Sequence, residues 1–151
     1  MTMASDRRLP LVDIELPAAP APLGEYAASR QAGSLVFLSG MLPLVDGSPL
    51  ATGPVTKEVA REAAHVAALN ALAVLKDRLG GFERVRGVVR ATVYVSAAAD
   101  FTEHAFVADG ASTLLNRVFP AAGRHARLAI GVSSLPMGMP VELELIVEVS
   151  V

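Results

Sequence analysis

Residues 56–81, TKEVAREAAHVAALNALAVLKDRLGG, predict a single long helix with both of its ends marked in the sequence. Most of the stretch is alanine, leucine, glutamate, lysine and arginine, which are strong helix formers. Thr56 is the expected N-cap, and Gly80-Gly81 ends the helix after Leu79. Apolar residues, many of them alanine, recur at helical spacing, so this helix can lie close against a sheet.

The strands on its C-terminal side are predicted from alternating polarity. Leu128–Ser133 is one of them. Val85–Ser96 is another, with one face formed by Val89, Ala91, Val93 and Val95 and the other by Arg90, Thr92 and Tyr94. Val141–Val149 alternates most regularly, because its valines and leucines share one face. Its other face holds Glu142, Glu144, Ile146 and Glu148.

A second helix is predicted between Val85–Ser96 and Leu128–Ser133. It begins at Asp100, which has the spacing of a capping box to Glu103, and runs to Phe119, where Pro120 stops it. Gly110 inside this helix indicates either a break or a close packing contact.

The N-terminal third of the chain is rich in proline and glycine. Tyr26–Arg30 and Leu35–Ser39, joined by residues 31–34, predict a β-hairpin. Residues 40–54 contain too many helix and strand breakers for a long element and are expected to form a loop. Residues 1–22 are expected to be an extended lead-in.

The predicted order of elements is therefore β-β-α-β-α-β-β, which places the chain in the α/β (α+β) class. We expect a mixed β-sheet with two helices packed on one face, in a single domain of residues 1–151. Two helices cover only one face of such a sheet, so the other face must meet water or another subunit. A chain of 151 residues with 52% apolar side chains can bury a full core.

Composition argues against several classes of function and excludes others. The formal net charge of −2 lacks the basic footprint of a nucleic-acid-binding domain. The absence of cysteine excludes disulfides, thiol nucleophiles and cysteine-ligated zinc. The longest uncharged run, residues 31–45, is short and interrupted, and the N-terminus lacks an apolar signal region, so we expect no membrane helix and a cytoplasmic protein.

The usual motifs of metal, nucleotide and serine-hydrolase sites do not occur. His65, His104 and His125 show no metal-binding spacing, so no metal site is expected, and packing or solvent contact is the ordinary role of the first two. No glycine-rich phosphate loop and no nucleophile elbow is present.

A basic turn, residues 123–127, enters the strand at Leu128 and is the best candidate for ligand binding. An arginine at a strand entrance presents a planar fork that matches a carboxylate. The alternative for Arg124 and Arg127 is a surface pair that solvates the turn. A solvated face is likewise the alternative for the glutamates of the last strand.

Several segments together resemble the reactive intermediate deaminase (Rid) family, formerly described as endoribonucleases or translation inhibitors. The segments are Gly24-Glu-Tyr26, GSLVFLSG at 33–40, ALNAL at 68–72, the Phe101 helix, HARLAIGVSSLP at 125–136 and VELE at 141–144. The resemblance covers residues 23–149 in order and points to a longer, divergent branch.

The resemblance implies a chorismate-mutase-like subunit, a homotrimer and ligand sites in clefts between subunits. Deaminase members use no cofactor and hydrolyse enamines or imines, such as 2-aminoacrylate, to a 2-oxo acid and ammonia. By the family pattern Arg127 binds the substrate carboxylate and Glu142 positions or activates water. Tyr26 and Ser39-Gly40 fall at the other pocket positions.

The chain departs from the deaminase pattern at Ala129, Gly131 and Met41, where cysteine, glutamate and glutamine are common. The pocket asparagine expected on the second helix has Asp109 or Gly110 as its nearest counterpart. Two alternatives to a deaminase remain: a trimer that binds a small carboxylate without turnover, and an endoribonuclease, which the net charge disfavours.

Overall fold

The computed structural model describes residues 14–151. Its strands and helices in chain order are β1 (Ser29–Ala32), β2 (Leu35–Leu38), β3 (Leu44–Val45), β4 (Ser48–Pro49), α1 (Lys57–Leu79), β5 (Val85–Ser96), α2 (His104–Val118), β6 (Ala126–Val132) and β7 (Val141–Val149). A short 3₁₀ turn, Pro136–Gly138, precedes β7.

A five-stranded mixed sheet in the order β1-β2-β7-β5-β6 forms the centre of the fold. The pair β5-β6 is parallel, and the other neighbours are antiparallel. The parallel pair arises because α2 carries the chain back across the sheet between β5 and β6. The α/β prediction with two helices on a mixed sheet is confirmed.

Helix α1 has the predicted ends. The Thr56 hydroxyl accepts a hydrogen bond from the Val59 amide at 3.2 Å. Gly80 closes the C-terminus with a φ of 75°, a left-handed conformation that glycine adopts without strain.

The N-terminal hairpin is shifted relative to its prediction. β1 covers Ser29–Ala32 rather than Tyr26–Arg30, and Ala32 pairs directly with Leu35. Only Gly33 and Ser34 form the turn, because Gly33 takes a φ of 59° that permits a two-residue connection.

The predicted loop at residues 40–54 contains the small β3–β4 hairpin. Strand β6 begins at Ala126 and ends at Val132, where Leu128–Ser133 was expected. Residues 14–28 form no helix or strand, and the remainder of the predicted lead-in, residues 1–13, lies outside the described residues. None of the helices in the described range is long and apolar enough to cross a membrane.

The prediction that Val89 shares a face with Ala91, Val93 and Val95 is wrong. Val88 is buried and Val89 is 42% exposed. Val88 pairs with Val147 on β7, and Arg90 pairs with the next residue, Ile146. A β-bulge therefore leaves Val89 without a partner on β7, and the alternation of β5 shifts by one residue at this point. Beyond the bulge, Ala91, Val93 and Val95 share one face as predicted, and all three are buried.

The predicted capping box at the start of α2 is also wrong. The helix begins at His104, and its N-cap residue Glu103 makes no capping hydrogen bond. Instead, the Glu103 carboxylate accepts a hydrogen bond from the Lys57 ammonium at 2.8 Å. Gly110 makes a close packing contact rather than a break, since a Cβ there would lie 2.1 Å from the carbonyl oxygen of Arg61 on α1.

The sheet has one covered and one open face. Helices α1 and α2 pack on the covered face, where Val141, Leu143, Leu145, Val147 and Val149 are buried. The open face carries the β7 glutamates, as the alternation predicted. It also carries exposed apolar side chains, namely Phe37 at 42%, Leu128 at 47% and Ile130 at 39% exposure.

Candidate functional site

Four of the predicted site residues lie around the end of β2 and the start of β7, and we call them the Glu142 cluster: Tyr26, Ser39, Gly40 and Glu142. Just after β2, Met41 donates its amide proton to the Leu143 carbonyl at 2.7 Å and accepts one from the Leu143 amide at 2.9 Å. This bridge places Gly40 directly beside Glu142. A Cβ on Gly40 would lie 2.1 Å from Glu142 Oε1, so only glycine leaves this carboxylate its present position.

Local hydrogen bonds hold the rest of the Glu142 cluster. The Ser39 hydroxyl donates to the Ala27 carbonyl at 2.6 Å, which anchors the segment that carries Tyr26. The Tyr26 hydroxyl accepts from the Leu23 amide at 3.2 Å, and its side chain is half exposed. Tyr26, Ser39 and Gly40 line a pocket of about 30 Å³. Such a volume holds one or two water molecules and no larger ligand.

Glu142 differs in its electrostatic environment from Glu144, the next glutamate on the same face of β7. It is half buried, and burial raises the pKa of its carboxyl group above the ordinary value of 4.5. Among residues 14–151 it takes part in no ion pair, whereas Glu144 lies 3.9 Å from Arg90. A carboxylate with a raised pKa and no cationic partner is suited to accept a proton from water.

Arg127 belongs to a second group, which we call the Arg127 cluster: Asp109, Ser112, His125 and Arg127. Arg127 Nη1 donates to Asp109 Oδ1 at 2.6 Å and to Ser112 Oγ at 3.2 Å. Ser112 Oγ in turn lies 2.9 Å from His125 Nε2, and His125 Nδ1 makes a short contact with the Gly123 carbonyl.

The chemistry of these groups assigns their protons. Arg127 has donors only, so the Ser112 hydroxyl accepts from it. The Gly123 carbonyl only accepts, so Nδ1 of His125 carries a proton and donates to it. The network fixes Nη1 of Arg127, while no contact within the described residues engages Nε or Nη2.

Ser112 was not among the predicted site residues, and His125 lies in the predicted basic turn but had no role assigned to it. Ser112 lies three residues after Asp109 on α2, so the two share a helix face, and that spacing was the available signal. The structure places Asp109 rather than Gly110 in contact with Arg127, since Gly110 packs against α1. Arg124 is exposed, in keeping with the solvating role considered for it.

The two clusters lie on opposite faces of the same sheet. Arg127 pairs in register with the buried Ala91, so its side chain lies on the face that the helices cover. Glu142 pairs with Tyr94 and lies on the open face. A single subunit therefore does not bring Arg127 and Glu142 together.

Position 131 also lies on the Arg127 side of β6. A Cβ on Gly131 would be 2.6 Å from His104 Nε2, so the histidine occupies the space next to this glycine. The His104 ring packs edge-on against Phe101, with ring centres 5.0 Å apart. His104 thus has the packing role expected for it. Within the described range no three His, Asp or Glu side chains form a group that could hold a metal ion.

Comparison with known proteins agrees with the fold. The chain is 39% identical over 142 residues to Protein TCP17 of Trypanosoma cruzi, covering 91% of this chain and 89% of the relative. It is 30% identical over 128 residues to the 2-iminobutanoate/2-iminopropanoate deaminase of Salmonella typhimurium, covering 85% and 90%.

A solved structure from Shewanella oneidensis, described as a "putative endoribonuclease", superposes with a TM-score of 0.86 at 31% identity and covers 90% of this chain and 93% of its own. The family described as "YjgF/chorismate mutase-like, putative endoribonuclease" matches residues 6–149. The fold, the two clusters and this match over nearly the whole chain show that the protein belongs to the YjgF/chorismate mutase-like family.

Proposed function

We propose that this protein hydrolyses reactive imines and enamines of the 2-aminoacrylate type to a 2-oxo acid and ammonia. The reaction takes place where the Arg127 cluster of one subunit faces the Glu142 cluster of the next. The observation that carries this proposal is the separation of Arg127 and Glu142 onto opposite faces of the sheet. Relatives at 30% identity that are named 2-iminobutanoate/2-iminopropanoate deaminase support the reaction class.

The proposed assembly is a homotrimer built on the open face of the sheet. Phe37, Leu128 and Ile130 expose apolar surface on this face. Apolar side chains on an uncovered sheet face favour burial against another surface. A closed ring of identical subunits supplies that surface and repeats the same heterologous contact at each interface. The pocket beside Tyr26 is too small to hold a substrate within one subunit, and in the proposed trimer the neighbouring subunit completes it.

In the proposed mechanism, Arg127 holds the substrate carboxylate through Nε and Nη2, since Nη1 is bound to Asp109 and Ser112. The imine carbon is already electrophilic, so the protein has only to hold the acid, place a water molecule and accept a proton. Glu142 takes one proton from the water as the water oxygen bonds to the imine carbon, and this proton passes to the nitrogen to give a carbinolamine. Glu142 then takes the hydroxyl proton and passes it to the nitrogen as the C=O bond forms and the carbon–nitrogen bond breaks. The water oxygen stays in the 2-oxo acid, and both protons of the water leave with the nitrogen as ammonia.

The direct test is the release of 2-oxo acid from 2-iminopropanoate and 2-iminobutanoate generated in situ, with semicarbazide as competitor. We expect the protein to accelerate hydrolysis, and Arg127→Ala and Glu142→Ala to abolish the acceleration while remaining trimeric by light scattering. Glu148→Ala is the matched control, because Glu148 is an exposed glutamate on the same face of β7 and should retain full activity. Unchanged hydrolysis in either site variant contradicts the proposed roles.

A second candidate function is a trimer that binds a small carboxylate without turnover. It is favoured by Ala129 and Gly131, which lie on the same face of β6 as Arg127 and offer no polar side chain. Binding of 2-oxobutanoate that requires Arg127, with no hydrolysis of either imine, would identify this function. Salt-sensitive RNA binding and cleavage would instead support the endoribonuclease description, which the net charge of −2 does not favour.

A further inference from the structure

The guanidinium of Arg127 already has an anionic partner. Asp109 Oδ1 lies 2.6 Å from Arg127 Nη1. The Arg127 side chain is 25% exposed and the Asp109 side chain is 49% exposed. A simple carboxylate that binds the remaining edge of Arg127 therefore comes close to a second carboxylate. The like charges of the ligand and Asp109 repel each other, which weakens the binding of a plain anion.

The second carboxylate oxygen of Asp109 is available to bind a ligand. Within the described residues, its contact with Arg127 uses Oδ1 alone, and half of the side chain is exposed. A cationic nitrogen can therefore approach the second oxygen of Asp109 while a carboxylate occupies the free edge of Arg127.

The surrounding contacts fix this pair in place. Gly110, next to Asp109, lies so close to the Arg61 carbonyl that α2 has little freedom to move along α1. Ser112 lies on α2, as Asp109 does; it contacts His125 and accepts a hydrogen bond from Nη1 of Arg127. Asp109 and Arg127 thus present a positioned negative and a positioned positive charge side by side.

We propose that the Arg127–Asp109 pair selects ligands that carry a carboxylate together with a cationic nitrogen, Arg127 taking the carboxylate and Asp109 the nitrogen. This inference rests on the proposed function for the location of the site and deepens it by naming the charge state of the substrate. For an imino acid, the selected species is the protonated iminium. Water adds to an iminium carbon more readily than to a neutral imine, because the positive nitrogen accepts the electron pair of the breaking C=N bond.

The test uses two stable probes with the same carbon skeleton, 2-aminobutanoate as the zwitterion and 2-oxobutanoate as the plain anion. Their dissociation constants are measured by calorimetry for the wild-type protein, Asp109→Asn and Arg127→Ala. Opposite charges about 4 Å apart in water interact strongly enough that we expect the wild type to prefer the zwitterion by about fivefold or more. Asp109→Asn should lose this preference and bind 2-oxobutanoate more tightly, and Arg127→Ala should bind neither probe.

The matched control is Asp100→Asn, which removes the same charge from an exposed aspartate outside the cluster and should leave the ratio unchanged. Circular dichroism and light scattering confirm that each variant is folded and assembled. An Asp109→Asn protein with the wild-type ratio overturns the inference, as does a wild type that prefers 2-oxobutanoate or binds neither probe. If the ratio shifts as expected but no imine is hydrolysed, the inference stands and the proposed deaminase activity fails.

Discussion

Gly40→Ala should disable the site while leaving the fold intact. The added Cβ would lie 2.1 Å from Glu142 Oε1 and 2.8 Å from Cδ, whereas Cβ contacts under 3.0 Å essentially never occur. The carboxylate oxygen must therefore move by at least 0.9 Å to reach that limit. Gly40 itself has no positive φ, so alanine introduces no backbone strain at this position.

A displacement of this size has a large effect on catalysis and a small effect on stability. Misplacing a reacting group by about 1 Å can cost about 100-fold in rate. The clash is with the end of a flexible side chain that is only half buried, so we expect the free energy of unfolding to change by less than about 1 kcal/mol. Glu142→Ala should show a loss of hydrolysis of similar or greater size.

The assay is the hydrolysis of 2-iminopropanoate, with urea denaturation of the same samples. Gly87→Ala is the matched control, because a Cβ there would meet its nearest atom, the Ala122 carbonyl oxygen, at an ordinary 3.4 Å. A folded Gly40→Ala protein with wild-type activity would refute the role assigned to Glu142. An equal loss in Gly87→Ala would show that glycine replacement, and not the displaced carboxylate, is responsible.

Three further predictions concern packing, ionisation and assembly. Gly110→Ala should destabilise the protein by about 1–3 kcal/mol in urea denaturation, because its methyl group meets the Arg61 backbone; a gain from helix propensity would contradict this. Burial raises the pKa of Glu142, so the folded state binds its proton more tightly than the unfolded state and loses stability as the pH rises through that pKa. Glu142→Gln should therefore be more stable than wild type at neutral pH, and this difference in the free energy of unfolding should vanish below pH 4.5, the ordinary pKa of a glutamate. A constant difference across a pH series of denaturation curves would contradict this. Leu128→Glu places a charge on the apolar open face, so this variant should be a monomer by light scattering and should lose hydrolysis. An intact trimer would show that this face is not the interface.

Features set by neighbouring residues were predictable from the sequence. The ends of α1 depend on the Thr56 hydroxyl and on the left-handed conformation of Gly80, both of which act within one turn of the helix. The alternation of β7 similarly places Glu142 on the open face without reference to the rest of the fold.

Features that depend on distant residues were not predictable. Glu103 pairs with Lys57, which is 46 residues away in the sequence, and so does not cap α2. The bulge at Val89 follows from the register between β5 and β7, which alternation within β5 does not reveal.

For the site, the family pattern predicts Arg127 and Glu142, but the residues that hold Arg127 follow from tertiary structure. Ser112 contacts Arg127 and His125 contacts Ser112 only because the α2–β6 connection folds back on the helix. The Asp109–Arg127 contact also needs the folded chain, because these residues are 18 positions apart in the sequence.

In the proposed mechanism Arg127 and Glu142 act together from different subunits. The most direct measurement is the imine-hydrolysis activity of mixed trimers, made by co-expressing Arg127→Ala and Glu142→Ala subunits that carry different affinity tags. Purification through both tags keeps only trimers that contain both subunit types, and in such a closed ring about one interface in three joins an intact Arg127 to an intact Glu142. We therefore predict that the purified mixed trimers recover about one third of wild-type activity, although each variant alone is inactive. Mixed trimers as inactive as the separate variants would show that both residues act within one subunit, and would contradict the account.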